Sequence, residues 1–281
     1  MALGSLSKKI SERAHLLLPR VGRRLPGSVR AVLEDLLAYD PRPSPGSRGS
    51  YEALYDRLAK ETPPETSIGD GDYELIGAIE LGLLQQEGLR PSSTVVDFGC
   101  GTGRLAIHLV PYLASGEYMG IDISETMLGH AADNVRARCG AASARARYCK
   151  QTTPDFVLPP ASVDLFCAFS VFTHMEHEDT FRYLKSIHSL LRPGGKLLLS
   201  CLPISLGVSK RIFLDEAGLE PDARWAKVRN IVTTTEFMGT LAGMAGWDFV
   251  RWYGGDEPNV TVAGRGTYAL GQSTLVLRRP G

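Results

Sequence analysis

From Thr94 onward, short apolar runs alternate with longer stretches whose apolar positions recur at helical spacing. Runs near 94–98, 117–121, 146–149, 163–168 and 195–201 predict strands, and residues near 102–113, 124–137 and 179–191 predict helices between them. Such alternation predicts a parallel sheet covered by helices on both faces, a doubly wound α/β fold. Two further strand patterns, 247–253 and 273–278, bring the expected count to seven.

Before Thr94 the pattern is helical. Ser28 caps a short run with Val29, Val32, Leu33, Leu36 and Leu37 on one face. Residues 40–50, with three prolines and two glycines, read as a linker, and residues 51–60 predict another helix. The turn Gly69-Asp70-Gly71-Asp72-Tyr73 then leads into a helix ending near Glu87. Residues 1–65 are therefore read as an N-terminal helical extension and 66–281 as the α/β domain. Within the domain, residues 206–232 form a charged insertion after the fifth strand that contains Trp225. It is long for a simple connection and is a candidate lid, with a surface excursion of no role as the alternative.

Composition changes this picture little. Hydrophobic residues make up 43% of the 281 and aromatic residues 8%, which suits a globular chain with a sizeable core. No apolar run reaches the ~18–20 residues that span a bilayer, and no continuous hydrophobic segment marks a secretory signal near the N-terminus. Cys100, Cys139, Cys149, Cys167 and Cys201 form no Cys-x-x-Cys pair and leave one unpaired in any disulfide scheme. Reduced thiols in the cytoplasm explain them.

Charge is balanced overall but not locally. Lys8, Lys9, Arg13, Arg20, Arg23, Arg24 and Arg30 face only Glu12 in the first 30 residues, seven positive against one negative. Leu6, Ile10, Ala14, Leu17 and Leu18 share one face of this segment. Residues 6–30 thus read as a basic amphipathic helix with three open roles: packing on the core, the favoured one, a targeting segment, or peripheral contact with the inner membrane surface. Nucleic acid is disfavoured as a partner, because no aromatic residues are interleaved for base stacking.

The candidate chemistry lies at the end of the first strand. Val95 to Arg104 read Val-Val-Asp-Phe-Gly-Cys-Gly-Thr-Gly-Arg, a strand running into a glycine turn just before a helical pattern. Without Cβ atoms, Gly99, Gly101 and Gly103 let the backbone turn sharply and approach a ligand. A dinucleotide fingerprint has two residues between its second and third glycines; here only Thr102 intervenes. The second strand ends in Asp122, 19 positions after Gly103, where an acid accepts hydrogen bonds from ribose hydroxyls.

This Asp-x-Gly-x-Gly-x-Gly pattern resembles motif I of class I S-adenosylmethionine-dependent methyltransferases. The resemblance, strong from about Val95 to Cys201 and including Pro193-Gly194-Gly195 before the fifth strand, implies a Rossmann-like seven-stranded sheet whose last strand is antiparallel. It implies S-adenosylmethionine as cofactor, held by Asp97, Gly99, Cys100, Gly101, Gly103, Arg104, Asp122 and Ile123, with Met127 packed on the adenine. Many relatives carry an Asp after the third strand to meet the adenine amine; this chain has Lys150-Gln151-Thr152, so Gln151 or Thr152 would serve.

After the fourth strand, Phe169-Ser170-Val171-Phe172-Thr173-His174-Met175 resembles a large set of small-molecule and glycan methyltransferases. That implies backbone contact of Phe169 and Ser170 with the methionine amino group, and Thr173 and His174 beside the transferred methyl. His174, with an unperturbed pKa of ~6.5, is the candidate catalytic base for a hydroxyl acceptor. Its alternative is a capping or orienting role. Neither Asn-Pro-Pro-Tyr, Asp-Pro-Pro-Tyr nor a Pro-Cys nucleophile follows the fourth strand, which disfavours nucleic-acid bases. Leu202-Pro203-Ile204 after the fifth strand offers no metal ligands, and the other histidines lack ligand spacing. Upstream, the Gly69-Asp70-Gly71-Asp72-Tyr73 turn and Tyr51 are expected to close over the donor, while Asp72 is read either as a partner of Arg104 or as a helix N-cap.

The expected activity is O-methylation of a small molecule or sugar. Alternatives are a non-catalytic cofactor-binding partner or sensor, an N-methyltransferase, and a nicotinamide-dependent oxidoreductase on a related fold. The acceptor and the oligomeric state have no readable motif.

Overall fold

The structure, a computed structural model, describes residues 51–61 and 71–281. The basic segment 6–30, the helix expected after Ser28, the linker and the Gly69-Asp70 half of the upstream turn lie outside the described residues.

Two helices, α1 (Tyr51–Glu61) and α2 (Tyr73–Gln86), precede the sheet. Strands and helices then alternate as β1 (Thr94–Phe98), α3 (Ala106–Tyr112), β2 (Glu117–Asp122), α4 (Glu125–Cys139), β3 (Ala146–Lys150), β4 (Val163–Ala168), α5 (His177–Leu190) and β5 (Leu191–Pro203). The remainder comprises α6 (Gly207–Ala217), α7 (Pro221–Trp225), β6 (Val232–Thr233), α8 (Thr235–Met244), β7 (Asp248–Tyr253), β8 (Val260–Val262), β9 (Gly266–Tyr268) and β10 (Ser273–Arg278).

The main path across the sheet is β3-β2-β1-β4-β5-β10-β7. The strands from β3 to β5 are parallel, and β10 runs antiparallel to both β5 and β7. This is the expected seven-stranded path with a reversed last strand. Two-residue β6 beside β5, and the β8–β9 hairpin, are additions the pattern did not announce. They hold two and three residues per strand, too few to show a period.

β5 begins at Leu191, four residues before the expected start, and absorbs Pro193-Gly194-Gly195 as an irregularity. Val163 pairs with Leu191, but Leu165 already pairs with Lys196. The carbonyl of Arg279 accepts from Gly194 and the Arg279 N–H donates to Gly195, each at 2.9 Å, so the bulge is tied to the chain leaving β10.

Alternating side chains divide the core between the two faces. Val95, Cys167, Leu198 and Val276 pack with Ile79 and Leu83 of α2 and with Leu109 of α3. Val96, Phe166, Leu197, Leu199 and Leu275 pack on the other face with Tyr183, Leu184 and Ile187 of α5 and Met238 of α8. The compact unit carrying both layers begins at Arg48 and takes in α1. Among the described residues, no helix is long and apolar enough to cross a membrane.

Candidate active site

A cavity of about 550 Å³ opens at the carboxyl ends of the parallel strands, where the order reverses between β1 and β4. Gly99, Cys100, Gly101 and Arg104 line it from the glycine turn, with Asp97 behind them. Asp122, Ile123 and Met127 line it from the β2–α4 junction, and Gln151 from the end of β3. Phe169, Ser170 and His174 close it from the end of β4. Gly103 and Thr152 do not line it.

Gly103 has a packing role instead. Its φ of +88° suits glycine alone, and a Cβ there would lie 3.3 Å from the Ala131 Cα of α4. At Gly99, φ is +76° and a Cβ would collide with Val171 at 2.3 Å, so the turn and the segment after β4 can approach only because that position is bare.

Asp122 is buried and already engaged by backbone. Its Oδ2 accepts from Gly101 N and its Oδ1 from Ser124 N, both at 2.9 Å. Burial raises its pKa, and these N–H groups pull it back down. Each oxygen keeps a further lone pair. Ser124 also caps α4, accepting from Met127 N at 3.4 Å, which seats Met127 at the cavity wall.

Asp97 lies deeper. Tyr118 donates to its Oδ2 at 2.8 Å, and burial pushes its pKa up to about 7. Arg104 pairs with Glu80 of α2 at 2.5 Å. Asp72 is the N-cap of α2, its Oδ1 accepting from Glu74 N and Leu75 N at 3.0 Å, so of its two readings the capping one describes the structure.

Gln151 donates through Nε2 to the carbonyls of Thr153 and Asp155 at 2.7 and 3.0 Å. Both amide hydrogens are thereby used, and Oε1 is the atom left to accept.

His174 sits in a short 3-10 turn, Phe172–His174, immediately before α5. Its Nδ1 lies 2.8 Å from the carbonyl of Arg229. A carbonyl can only accept, so Nδ1 carries the proton and Nε2 holds the lone pair. Burial lowers the pKa of the ring, keeping it neutral near pH 7. Arg229 in turn binds Glu176 at 2.7 Å, and Ile231 N donates to the Thr173 carbonyl at 2.7 Å. The insertion is thus pinned to the end of β4, and its Val228 and Asn230 line the cavity.

Sequence reasoning named Tyr51 but missed Tyr55, Glu80, Asn230 and Gln272, which also line the cavity. Tyr55 and Tyr51 are one helical turn apart, the one signal that α1 offers a polar aromatic face. Tyr51 accepts from Glu176 N at 3.1 Å and donates to Asp179 at 3.2 Å, fastening α1 to α5.

Residues 96–197 match the model of a methyltransferase domain family. Thiocyanate methyltransferase 1 of Brassica oleracea is 34% identical over 111 residues, which cover 38% of this chain and 45% of that protein. The chain spans less than half the length of the curated relatives it matches. Among solved structures, magnesium protoporphyrin IX methyltransferase of Synechocystis PCC 6803 with bound SAH superposes with a TM-score of 0.54 at 22% identity, covering 75% of this chain and 90% of that one. The [4+2]-cyclase SpnF superposes with 0.59 at 18% identity, covering 83% and 97%. Likenesses this distant in sequence establish the fold alone, a Rossmann-like α/β fold. The matched segment holds the glycine turn, Asp122 and His174; Tyr51, Tyr55, Asn230 and Gln272 reach the cavity from outside it.

Proposed function

We propose that the chain is an S-adenosylmethionine-dependent methyltransferase acting on a hydroxyl of a small molecule or sugar, with His174 as general base. The observation that carries this reading is the fixed tautomer of His174, its basic Nε2 held in the same cavity as Asp122 and the glycine turn.

The residues present fit the donor. Asp122 offers spare lone pairs to two ribose hydroxyls, and Gln151 presents an acceptor oxygen to the adenine amine in place of the carboxylate relatives use. Ile123 and Met127 supply apolar surface for the base. When bound, the donor supplies a methyl group already activated by its sulfonium. The protein's task is then alignment, worth far more than any single contact, and removal of one proton from the acceptor. Nε2 of His174 takes that proton, while Nδ1 holds the ring in place through the Arg229 carbonyl.

We read residues 206–232 as a lid, because the segment carries Arg229 to His174 and Val228 and Asn230 to the cavity. A cytoplasmic enzyme, with residues 6–30 as the segment open to membrane contact, completes the reading. The test is transfer of isotope-labelled methyl from S-adenosylmethionine into fractionated extract of the source organism, with Asp122→Ala as control. Label in an ether or ester product that depends on Asp122 supports O-methylation, and label on nitrogen replaces it with N-methylation. Saturable binding of S-adenosylhomocysteine without any labelled product favours a non-catalytic protein. Competition by NAD favours an oxidoreductase.

A further inference from the structure

Gln272 sits where no methyltransferase motif points, just before β10. Its Oε1 accepts from Ser200 Oγ at 2.7 Å and from Ser170 Oγ at 3.2 Å, and Ser200 Oγ accepts from Ser170 N at 2.7 Å. Ser200 Oγ takes a backbone N–H and gives its own proton to Gln272, whose amide oxygen faces both serines in this arrangement. Ser170 has a φ of +57°, an unusual backbone for a non-glycine residue at the end of β4. Among the described residues no partner meets Nε2, and Gln272 lines the cavity.

The sheet tells which part of a ligand lies there. Ser200 shares its face of β5 with Leu198, which packs in the α2 layer, and Thr274 pairs with Ser200 across β10. Gln272 therefore belongs to the wall of Glu80 and Arg104, whereas Met175 and Tyr183 belong to the opposite layer. His174 is flanked in the chain by Phe172 and Met175 of that opposite layer, and its ring meets Tyr55 of α1 and the Arg229 carbonyl. A zwitterionic group suits the Gln272 wall, with the Asp97 carboxyl for a cation and an amide donor for a carboxylate.

We propose that Gln272 is a donor-binding residue whose Nε2–H groups hydrogen-bond the amino-acid carboxylate of S-adenosylmethionine, an assignment that rests on the methyltransferase reading above. Calorimetric titration of S-adenosylhomocysteine and of 5′-methylthioadenosine, which lacks the amino-acid end, into the parent, Gln272→Glu and Gln272→Leu proteins tests it. Glutamate still accepts from both serines but loses the N–H donors and places a like charge against the carboxylate. S-adenosylhomocysteine should bind Gln272→Glu about ten- to a hundredfold more weakly, the range of one hydrogen bond to a charged group. Methylthioadenosine should change by no more than about twofold. Gln272→Leu should show the same ratio even where its thermal midpoint falls. Equal losses for the two ligands, or none, overturn the assignment. A parent protein that binds neither ligand overturns the methyltransferase reading and this inference together; a parent that binds both, with variants that keep the parent's ratio, overturns this inference alone.

Discussion

Replacing Asp122 by Asn keeps the outline of the side chain while removing its charge and one of its two acceptors. Both carboxylate oxygens are used by backbone, Gly101 N on one and Ser124 N on the other at 2.9 Å. In the variant one of these N–H groups faces an amide NH2 and loses its partner, a cost of about 1–3 kcal/mol. For a chain of this size that lowers the thermal midpoint by roughly 2–4 °C per kcal/mol. The ribose effect is larger. Two hydroxyl-to-carboxylate bonds of about 1.5–3 kcal/mol each give way to at most one neutral bond of about 1 kcal/mol. Removing a buried charge, which burial already disfavours, returns part of this. The expected net loss of about 2–4 kcal/mol weakens S-adenosylhomocysteine roughly thirty- to a thousandfold. Calorimetric titration measures it, and the 2′-deoxy analogue isolates the cause: the parent should discriminate against it and Asp122→Asn should not. A folded variant that binds S-adenosylhomocysteine within about twofold of the parent, or that still discriminates as the parent does, refutes the ribose assignment.

Other consequences follow from the same geometry. His174→Ala should lower turnover by about 10²–10⁴ with little change in S-adenosylhomocysteine affinity, as fits a lost general base; parental turnover makes His174 structural. Because burial lowers its pKa, the acid limb of the parent's pH–rate profile should have its midpoint below 6.5, the rate rising as the ring loses its proton and levelling above; a midpoint at or above 6.5 contradicts the assignment. The Asp97 carboxyl has a folded pKa of about 7 against an ordinary 3.8, so its contribution to stability is complete below the lower value and is lost as pH rises through the higher. Asp97→Asn, which does not ionise, should therefore gain on the parent in thermal midpoint between these values and hold a constant lead above; midpoints that track in parallel exclude a raised pKa. Gly103→Ala should cost about 1–3 kcal/mol through its φ of +88° and the Ala131 contact at 3.3 Å, read by urea unfolding; an unchanged midpoint would show that α4 moves away freely.

Local chemistry explains what the sequence disclosed. The strand, glycine turn and Asp122 were readable because period, bare backbone and strand-end acid lie within one contiguous stretch. Ser124 and Asp72 were readable as caps, since each binds N–H groups two or three residues ahead. The Arg104 partner was not: Asp72 caps the helix that carries Glu80 at its middle, and only the rotation of α2 against the sheet selects Glu80. The β8–β9 hairpin escaped because its strands, three residues each, are held chiefly by packing of Val260 and Val262 against α2. Tyr55, Asn230 and Gln272 reach the cavity from three separate parts of the chain, and no local spacing brings them together.

β10 lies between β5 and β7 in space but follows both in sequence, bonded to one through Ser273–Arg278 on one side and to the other on its opposite side. Until residue 278 has left the ribosome, residues 196–201 of β5 lack their partner on that side and β7 has no strand beside it. The sheet thus cannot be completed until β10 has emerged. From the emergence of β5 until β10 follows, the nascent protein carries an apolar template for mispairing, and any premature stop before β10 would release a species prone to aggregate rather than a shortened protein of the same fold.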